Sequence, residues 1–270
     1  DGILGIAPKA TILPVRDADM SDSRTSWTHK AIRWAVDQGA DVINMSFGGE
    51  EDFDLEEAIA YARRKNVVLV AAVGNKPKDP IIGYPAAYPG VIAVGGVDQH
   101  GQHASFSVTG KEVDIAAPAV QIISTRPGGS YATQNGTSYA TAIVAGAAAL
   151  IRARYPDLSA DEVAYRLLAT AVDKGPKGRD EQYGYGVLDI YAALTAELPP
   201  MPDDFVEPLP TQQAAPPPAV PPPPAAAASG AASKRPVIMV SLFIIAGGVF
   251  LLALAIIGLI VWIVWLITRR

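Results

Sequence analysis

Apolar runs alternate with amphipathic stretches in the first third of the chain, and this alternation constrains the fold more than any other feature. Residues 67–73 are continuously apolar, residues 41–47 are rich in β-branched side chains, and residues 91–94 form another apolar run. Apolar residues recur at helical spacing over residues 27–38 and again over residues 55–66. Strands that alternate with helices build a parallel sheet with helices on both faces. The sequence therefore predicts an α/β fold.

Polar side chains follow two of the predicted strands. Ser46 lies at the end of the first strand, and Asn75 follows the second strand after a glycine. In open parallel sheets, ligands bind beyond the carboxyl ends of the strands. An asparagine at such a place is often a turn former, but its amide is also suited to donate to the oxyanion of an acyl transfer. Position alone does not decide whether Asn75 forms a turn or donates to an oxyanion.

A serine opens the helix predicted over residues 138–154, whose alanine and glycine content is typical of a buried helix packed close to other backbone. This serine, Ser138, follows a glycine turn. Free N–H groups at a helix start stabilise negative charge that develops beside them, so Ser138 is a candidate nucleophile. A Gly-Thr-Ser triplet is also an ordinary turn followed by an N-cap. The choice between these interpretations depends on the rest of the chain.

Charge and cysteine content exclude several classes of function. The 270 residues carry a formal net charge of -5, and the pI is near 5.2, so no basic surface for nucleic acid is expected. Because the chain has no cysteine, it has no disulfide framework, thiolate metal site or cysteine nucleophile. The chain opens on Asp1 without a charged and apolar signal stretch, and we expect a processed chain or a fragment.

Five ordered blocks resemble the subtilisin-like serine proteases, the subtilase family. They read DVINMSFGG, AAVGN, YPAAYPGVIAVG, ASFS and NGTSYA, at residues 41–49, 71–75, 84–95, 104–107 and 135–140. The resemblance extends over residues 1–195. It implies a subtilisin-like parallel sheet with helices on both faces and a peptidase domain over residues 1–198.

The resemblance implies a role for each residue that matches a family motif. Ser138 corresponds to the acylating nucleophile, and Asn75 corresponds to the side-chain donor of the oxyanion hole, with the Ser138 N–H as the second donor. The strand that pairs with extended substrate corresponds to Ser46, Phe47 and Gly48. The walls and floor of the pocket for the residue before the cleaved bond correspond to Ala72, Gly74 and Gly83.

The sequence departs from the family in two ways. The catalytic Asp and His of the family lie in motifs upstream of the block that matches residues 2–10, and the chain begins after both. The second departure is Ala142-Ile143, where the family commonly has Pro-His. Because a serine without a base attacks peptide bonds poorly, the chain alone should have little activity.

The histidines and aspartates that remain do not match the missing motifs. We expect each histidine to be solvated rather than catalytic, because none lies in a His-Gly-Thr-His setting. Three aspartates near the N-terminus likewise lack the Asp-Ser/Thr-Gly context. These residues are His29, His100, His103, Asp17, Asp19 and Asp41.

The C-terminal part of the chain predicts a membrane tether. Residues 199–236 are rich in proline and alanine, which is typical of a semi-rigid spacer. Residues 237–268 include an uncharged apolar run that is longer than a bilayer requires, and they predict one tilted transmembrane helix. This layout resembles the mycosins, the membrane-anchored subtilases of type VII secretion. That resemblance implies a single-pass protein of the cell membrane with an extracytoplasmic peptidase domain.

Two functions are open at this point. The first is a membrane-anchored serine endopeptidase that hydrolyses peptide or protein substrates and works beside membrane components of a secretion system. The second is a non-catalytic, membrane-tethered scaffold that uses the same fold. No cofactor and no metal ligand are predicted, although the variable calcium loops of the family leave a calcium site open. No nucleic-acid partner is expected.

Overall fold

The computed structural model describes residues 2–17, 27–205 and 238–242. The elements in chain order are β1 (Thr11–Pro14), α1 (Thr28–Asp37), β2 (Val42–Met45), α2 (Phe53–Arg64), β3 (Val68–Ala72), β4 (Ile92–Val97), β5 (Ile115–Pro118), β6 (Ile122–Arg126), β7 (Ser130–Gln134), α3 (Thr137–Arg154), α4 (Ala160–Ala169), α5 (Ile190–Thr195) and β8 (Ile238–Leu242). The strands and helices that the sequence predicts up to residue 154 are all present.

Six parallel strands form the central sheet, in the order β1-β8-β2-β3-β4-β5. The position of β1 at the edge suits Pro14, which has no N–H to donate to a further strand. The strands β6 and β7 pair antiparallel in a separate hairpin. The predicted α/β fold with a parallel sheet is therefore confirmed.

Alternate side chains of the strands pack into two cores, one on each face of the sheet. Ile43, Met45 and Leu69 pack with α1 and α2 on one face, which we call the α1–α2 face. Val42 and Val68 pack with α3, α4 and α5 on the other, the α3 face. Because helices cover both faces, the strands contain continuous apolar runs instead of alternating apolar and polar residues.

The helix α3 packs through small side chains, as the sequence predicts. Ala145, Ala147 and Ala148 are fully buried. A Cβ added at Gly146 would lie only 2.8 Å from the Cβ of Ile6. The small residues therefore let α3 lie close to the sheet on one side and to the N-terminal segment on another.

Residues 238–242 form the strand β8, which differs from the transmembrane helix predicted over residues 237–268. The backbone of β8 pairs in parallel with β1 on one side and with β2 on the other. Buried backbone groups of neighbouring strands require partners, and an apolar segment in the gap between β1 and β2 supplies them. The remainder of the predicted helix, and the spacer from residue 206 onward, lie outside the described residues.

The described chain continues past residue 198, where the peptidase domain is predicted to end. Phe205 packs edge-on against Tyr165 of α4, with ring centroids 5.2 Å apart. Residues 199–205 therefore contact the domain through an aromatic side chain, although the sequence assigns them to the spacer.

Candidate active site

Three polar residues meet at the carboxyl edge of the sheet. Ser46 follows directly after β2, and Asn75 follows shortly after β3. Ser138 is the second residue of α3, and the N-cap before it is Gly136, with a φ of 151°. This backbone conformation favours glycine, so the entry into α3 depends on Gly136. The first turn of α3 therefore lies beside the ends of two strands.

Two reciprocal hydrogen bonds join Ser138 to Ser46. The Ser138 hydroxyl donates to the backbone carbonyl of Ser46 at 3.3 Å. The Ser46 hydroxyl donates to the backbone carbonyl of Ser138 at 3.0 Å. Because a helix N-terminus favours negative charge nearby, the Ser138 oxygen lies where a developing alkoxide is stabilised.

The side chain of Asn75 is oriented by the first residue of α3. Asn75 Oδ1 accepts a hydrogen bond from the Thr137 backbone N–H at 2.9 Å and lies 3.3 Å from the Thr137 hydroxyl. The same hydroxyl lies 3.3 Å from the carbonyl oxygen of Gly74. Because Oδ1 is engaged, Nδ2 is the group of this amide that can donate to a ligand. Asn75 thus holds a donor beside the start of α3.

Asp79 fixes the backbone of Asn75 independently of its side chain. Asp79 Oδ2 accepts a hydrogen bond from the Asn75 N–H at 2.7 Å, and the Asp79 N–H donates to the Asn75 carbonyl at 3.0 Å. Asp79 also lies against Gly74, where an added Cβ would be 2.9 Å from the Asp79 Cβ. Thr137 therefore orients the side chain of Asn75, and Asp79 fixes its backbone.

The residue that follows the predicted substrate segment pairs with the loop that contains Gly83, one of the predicted pocket residues. Gly49 and Tyr84 exchange both backbone hydrogen bonds, at 2.8 and 3.0 Å. A Cβ added at Gly83 would lie 2.7 Å from the carbonyl oxygen of Gly49. Only glycine at residue 83 therefore permits this contact between the two segments.

The remaining predicted pocket and substrate residues lie at the ends of the same strands. Phe47 is partly buried against the core of the α1–α2 face. Gly48 lies in open space, since nothing is within 4 Å of an added Cβ. Ala72, the last residue of β3, is 5% exposed. The structure thus brings the predicted residues to one edge of the sheet, and their roles with substrate stay predictions.

Burial and nearby acids raise the pKa of two tyrosines beside this segment. Burial is the main cause for Tyr84, and the Glu51 carboxylate raises the pKa of Tyr84 further by its charge and a hydrogen bond. Burial also raises the pKa of Tyr88. The Tyr88 hydroxyl accepts from the Asp52 N–H at 3.0 Å and donates to the Asp52 carbonyl at 2.7 Å. Both phenols are therefore neutral hydrogen-bonding groups near pH 7.

His103 is not the solvated residue that the sequence predicts. It is half-buried beside Tyr183, with ring centroids 6.1 Å apart, and its Nε2 has no hydrogen-bond partner among the described residues. Burial lowers the pKa of His103, the charge of Lys76 lowers it further, and the Asp180 carboxylate opposes both. The apolar packing of the ring explains the difference from the prediction.

The hydroxyl of Ser138 donates to a carbonyl oxygen, and within residues 2–17, 27–205 and 238–242 it has no imidazole partner. His100 is exposed, as predicted, whereas His29 on α1 is half-buried. Among the described residues, no general base is therefore hydrogen-bonded to the Ser138 hydroxyl.

Two of the three N-terminal aspartates, Asp17 and Asp41, lie within the described residues. Asp17 is 3% exposed and accepts a hydrogen bond from the Thr28 hydroxyl at 2.8 Å, since a buried carboxylate requires such a donor. Asp41 is partly exposed just before β2. Asp19 lies outside the described residues.

Neither a metal cluster nor a membrane span is found in the described ranges. No group of three or more His, Cys, Asp or Glu side chains there is arranged to hold a metal ion. None of α1 to α5 could span a lipid bilayer.

Three residues that contribute to the site are missing from the sequence prediction. Thr137 orients the Asn75 amide, Asp79 fixes its backbone, and Asn44 donates from Nδ2 to the Ser46 hydroxyl at 3.0 Å. The sequence contains a signal for Asn44, because a polar residue in the middle of a buried strand requires a partner. Asp79 has no comparable signal, since it lies in a loop of turn-forming residues.

Known proteins resemble the chain in both sequence and structure. A family model described as Peptidase S8, subtilase family, matches residues 1–186. Subtilisin DY of Bacillus licheniformis is 43% identical over 197 residues, which cover 71% of this chain and 71% of that protein. Subtilisin E of Bacillus subtilis is also 43% identical, but the match spans 51% of its length.

Solved structures give the same result. The crystal structure of MycP1 from Mycobacterium smegmatis has a TM-score of 0.58 at 32% identity, covering 66% of this chain and 56% of that one. A second MycP1 structure, of a serine protease described as an essential component of the type VII (ESX-1) secretion system, has a TM-score of 0.59 at 34% identity, covering 66% and 61%. The fold, the family match and these identities together show that the chain belongs to the subtilase family.

Proposed function

We propose that this chain provides the nucleophile and the oxyanion-binding amide of a membrane-anchored serine endopeptidase that serves a type VII secretion system. One observation carries the catalytic part. Ser138 opens α3, and the preceding residue, Thr137, holds Asn75 Oδ1 at 2.9 Å. A nucleophile at the start of α3 and an amide donor that the same helix start orients thus lie together, as acyl transfer requires.

The reaction follows from these positions. Ser138 Oγ attacks the carbonyl carbon of the scissile peptide bond, and the carbonyl electrons move to its oxygen. The N–H of Ser138 and Nδ2 of Asn75 donate to that oxyanion. The proton of Ser138 passes to a general base, which we place outside the described residues, and then to the peptide nitrogen. The oxyanion electrons return to the carbonyl as the C–N bond breaks, which releases the amine and leaves the acyl-enzyme. Water hydrolyses the acyl-enzyme by the reverse sequence of proton transfers.

Membrane anchoring is supported by the composition of the C-terminal region. Residues 243–267 are uncharged and almost wholly apolar. Roughly 20 such residues suffice to cross a bilayer as a helix, so a span that starts after β8 is long enough. We place the peptidase domain on the extracytoplasmic side of the cell membrane.

The link to type VII secretion is supported by the MycP1 structures, one of which is described as an essential component of that system. The layout of this chain, with a peptidase domain, a proline-rich spacer and an apolar C-terminus, resembles the mycosins and is a second support. Peptide or protein substrates, and secretion-system membrane components as partners, follow from this proposal. Calcium is a further proposal that no described residue specifies.

Labelling of the native protein with a fluorophosphonate tests the catalytic proposal. We expect one labelled peptide, which contains Ser138, and no labelling of Ser138→Ala. The matched control is Ser105→Ala, which removes the hydroxyl of an exposed serine and should leave labelling unchanged. Absence of label from the native protein would overturn the proposal.

A scaffold without catalysis is the second candidate, favoured by the hydrogen bond from the Ser138 hydroxyl to a carbonyl instead of a base. Secretion assays with Ser138→Ala separate the two functions. Loss of substrate processing with secretion complexes intact supports the endopeptidase. Full secretion and full processing by Ser138→Ala would support the scaffold.

A further inference from the structure

We propose that Asn44 is a positioning residue for the nucleophile, acting through Ser46. This inference rests on the proposed function. Asn44 lies inside β2 between Ile43 and Met45, and it is 0% exposed. Ile43 and Met45 face α1 and α2, whereas Val42 packs with α3. Since side chains alternate along a strand, Asn44 lies on the α3 face, the same face as Ser138.

A chain of hydrogen bonds runs from Asn44 to the first turn of α3. Asn44 Nδ2 donates to Ser46 Oγ at 3.0 Å, and Ser46 Oγ donates to the Ser138 carbonyl at 3.0 Å. A hydroxyl has one proton. Because Asn44 approaches Ser46 Oγ as a donor, the Ser46 proton is directed to Ser138. Asn44 therefore fixes the rotamer of Ser46, and Ser46 fixes the distance between β2 and α3.

Asn44 is poorly explained by stability alone. Its Oδ1 is buried and has no hydrogen-bond partner within the part of the chain that the structure describes. A buried polar atom without a partner costs stability, whereas an apolar side chain of the same size at this position would not. Departures from such local rules are expected where function requires them. The half-satisfied amide thus indicates a geometric role at the site.

The position of Ser138 Oγ is the quantity that Asn44 controls. The Ser138 hydroxyl lies 3.3 Å from the Ser46 carbonyl, so both hydrogen bonds between these residues depend on the placement of Ser46. Small displacements of a nucleophile slow the chemical step more than they weaken binding. Asn44 is fully buried, so its side chain is out of reach of a bound substrate. Its loss should therefore lower kcat and leave KM unchanged.

Two substitutions in the native protein test this role. Asn44→Leu removes the donor and the unpaired Oδ1 and keeps the number of side-chain heavy atoms, and Asn44→Asp replaces the donor with an acceptor. We expect kcat to fall by roughly tenfold in each, with KM unchanged, because one oriented hydrogen bond is lost. The unfolding midpoint of Asn44→Leu should equal or exceed that of the native protein. An unchanged kcat in both variants would overturn the inference.

The matched control is Thr28→Val, which also removes a buried hydrogen-bond donor, in this case a hydroxyl, but on the α1–α2 side of the molecule. It should lower the unfolding midpoint and leave kcat unchanged. An equal drop in kcat for Thr28→Val and Asn44→Leu would mean that both act through general stability, and the positioning role would be wrong.

A double-mutant cycle with Ser46→Ala separates this inference from the proposed function. If Asn44 acts through Ser46, Asn44→Leu lowers kcat no further once the Ser46 hydroxyl is absent. Should the native protein show no turnover, the proposed function fails, and the unfolding midpoints of the same four proteins decide this inference. Non-additive midpoint changes support coupling between Asn44 and Ser46, and additive changes overturn it.

Discussion

The two faces of the sheet are packed in different ways, although the same strands supply both. The α1–α2 face buries large side chains such as Ile43, Met45 and Leu69. The α3 face also buries large side chains, such as Ile115 and Leu167, but its central helix contributes mainly alanines, and Asn44 and Thr141 are buried polar residues there. Large side chains stabilise through the area that they bury, whereas small ones let a helix approach closely. Both faces therefore contribute to stability, and the α3 face differs in its closely packed helix and in the buried polar residues that lie beside the site.

The largest effect is expected at Asn75, where the α3 face meets the site. Asn75→Ala removes the amide donor and should lower kcat by ~10²–10³-fold, the loss known for the side-chain donor of the oxyanion hole in a subtilisin. KM should change little, because the donor acts on charge that develops in the transition state. Steady-state kinetics with a peptide substrate measure this. A loss confined to KM would contradict an oxyanion role for Asn75.

Shortening a buried side chain on the α1–α2 face should lower the free energy of unfolding and leave kcat unchanged. Leu69 is 1% exposed, and Leu69→Ala should lower the free energy of unfolding by about 3 kcal/mol through lost burial and the cavity left behind. At a temperature where the variant is folded, kcat should match that of the native protein. Chemical denaturation and kinetics on the same sample measure both. A tenfold loss of kcat would show that the two faces are not separable.

Close packing of α3 is tested at Gly146. Alanine is the better helix former by about 1 kcal/mol, yet a Cβ at this position would lie 2.8 Å from the Cβ of Ile6. We expect Gly146→Ala to lower the free energy of unfolding by about 1 kcal/mol, since overpacking outweighs helix propensity. Combining Gly146→Ala with Ile6→Gly should remove the clash. A more stable Gly146→Ala variant would mean that the Ile6 segment moves aside at little cost.

Many of the features of the two faces can be predicted from the sequence, and the physical reason differs from residue to residue. The apolar runs predict the strands because burial on both faces removes the polar alternation, and the alanines of residues 140–149 predict a closely packed helix. Asn75 and Ser138 are candidates because strand ends and helix starts meet at one edge of a parallel sheet, and the family resemblance then decides between the two interpretations of each. These signals are local, and each is set within a few residues.

The features that the sequence does not predict depend on contacts between distant segments. Asn44 is part of an apolar run in the sequence, and its role emerges only with Ser46 and Ser138 close by. The half-burial of His103 depends on Tyr183, which is distant in the chain. Residues 238–242 lie in an apolar run of helical length, but pairing with β1 and β2 makes them a strand. Tertiary partners override local pattern in all three cases.

The smallest predicted effect concerns His103, whose ring lies beside Tyr183 of a third, smaller buried cluster. Burial holds its pKa below the ordinary 6.5, so the unfolded chain binds a proton more readily than the folded one. The contribution of His103 to the free energy of unfolding is therefore fully present above about pH 7, where an unfolded histidine is neutral. It should be lost as the pH falls through the unfolded pKa toward the lower folded pKa.

Unfolding midpoints measured between about pH 8 and pH 5 test this dependence, across the range in which histidine titrates. His103→Phe keeps the ring beside Tyr183 and removes the titrating group. Its midpoint should fall less on acidification than that of the native protein, and the difference should develop below about pH 6.5. Equal pH dependence in the two proteins would mean that the buried imidazole is protonated without cost. The two large cores would then account for the stability of the domain without His103.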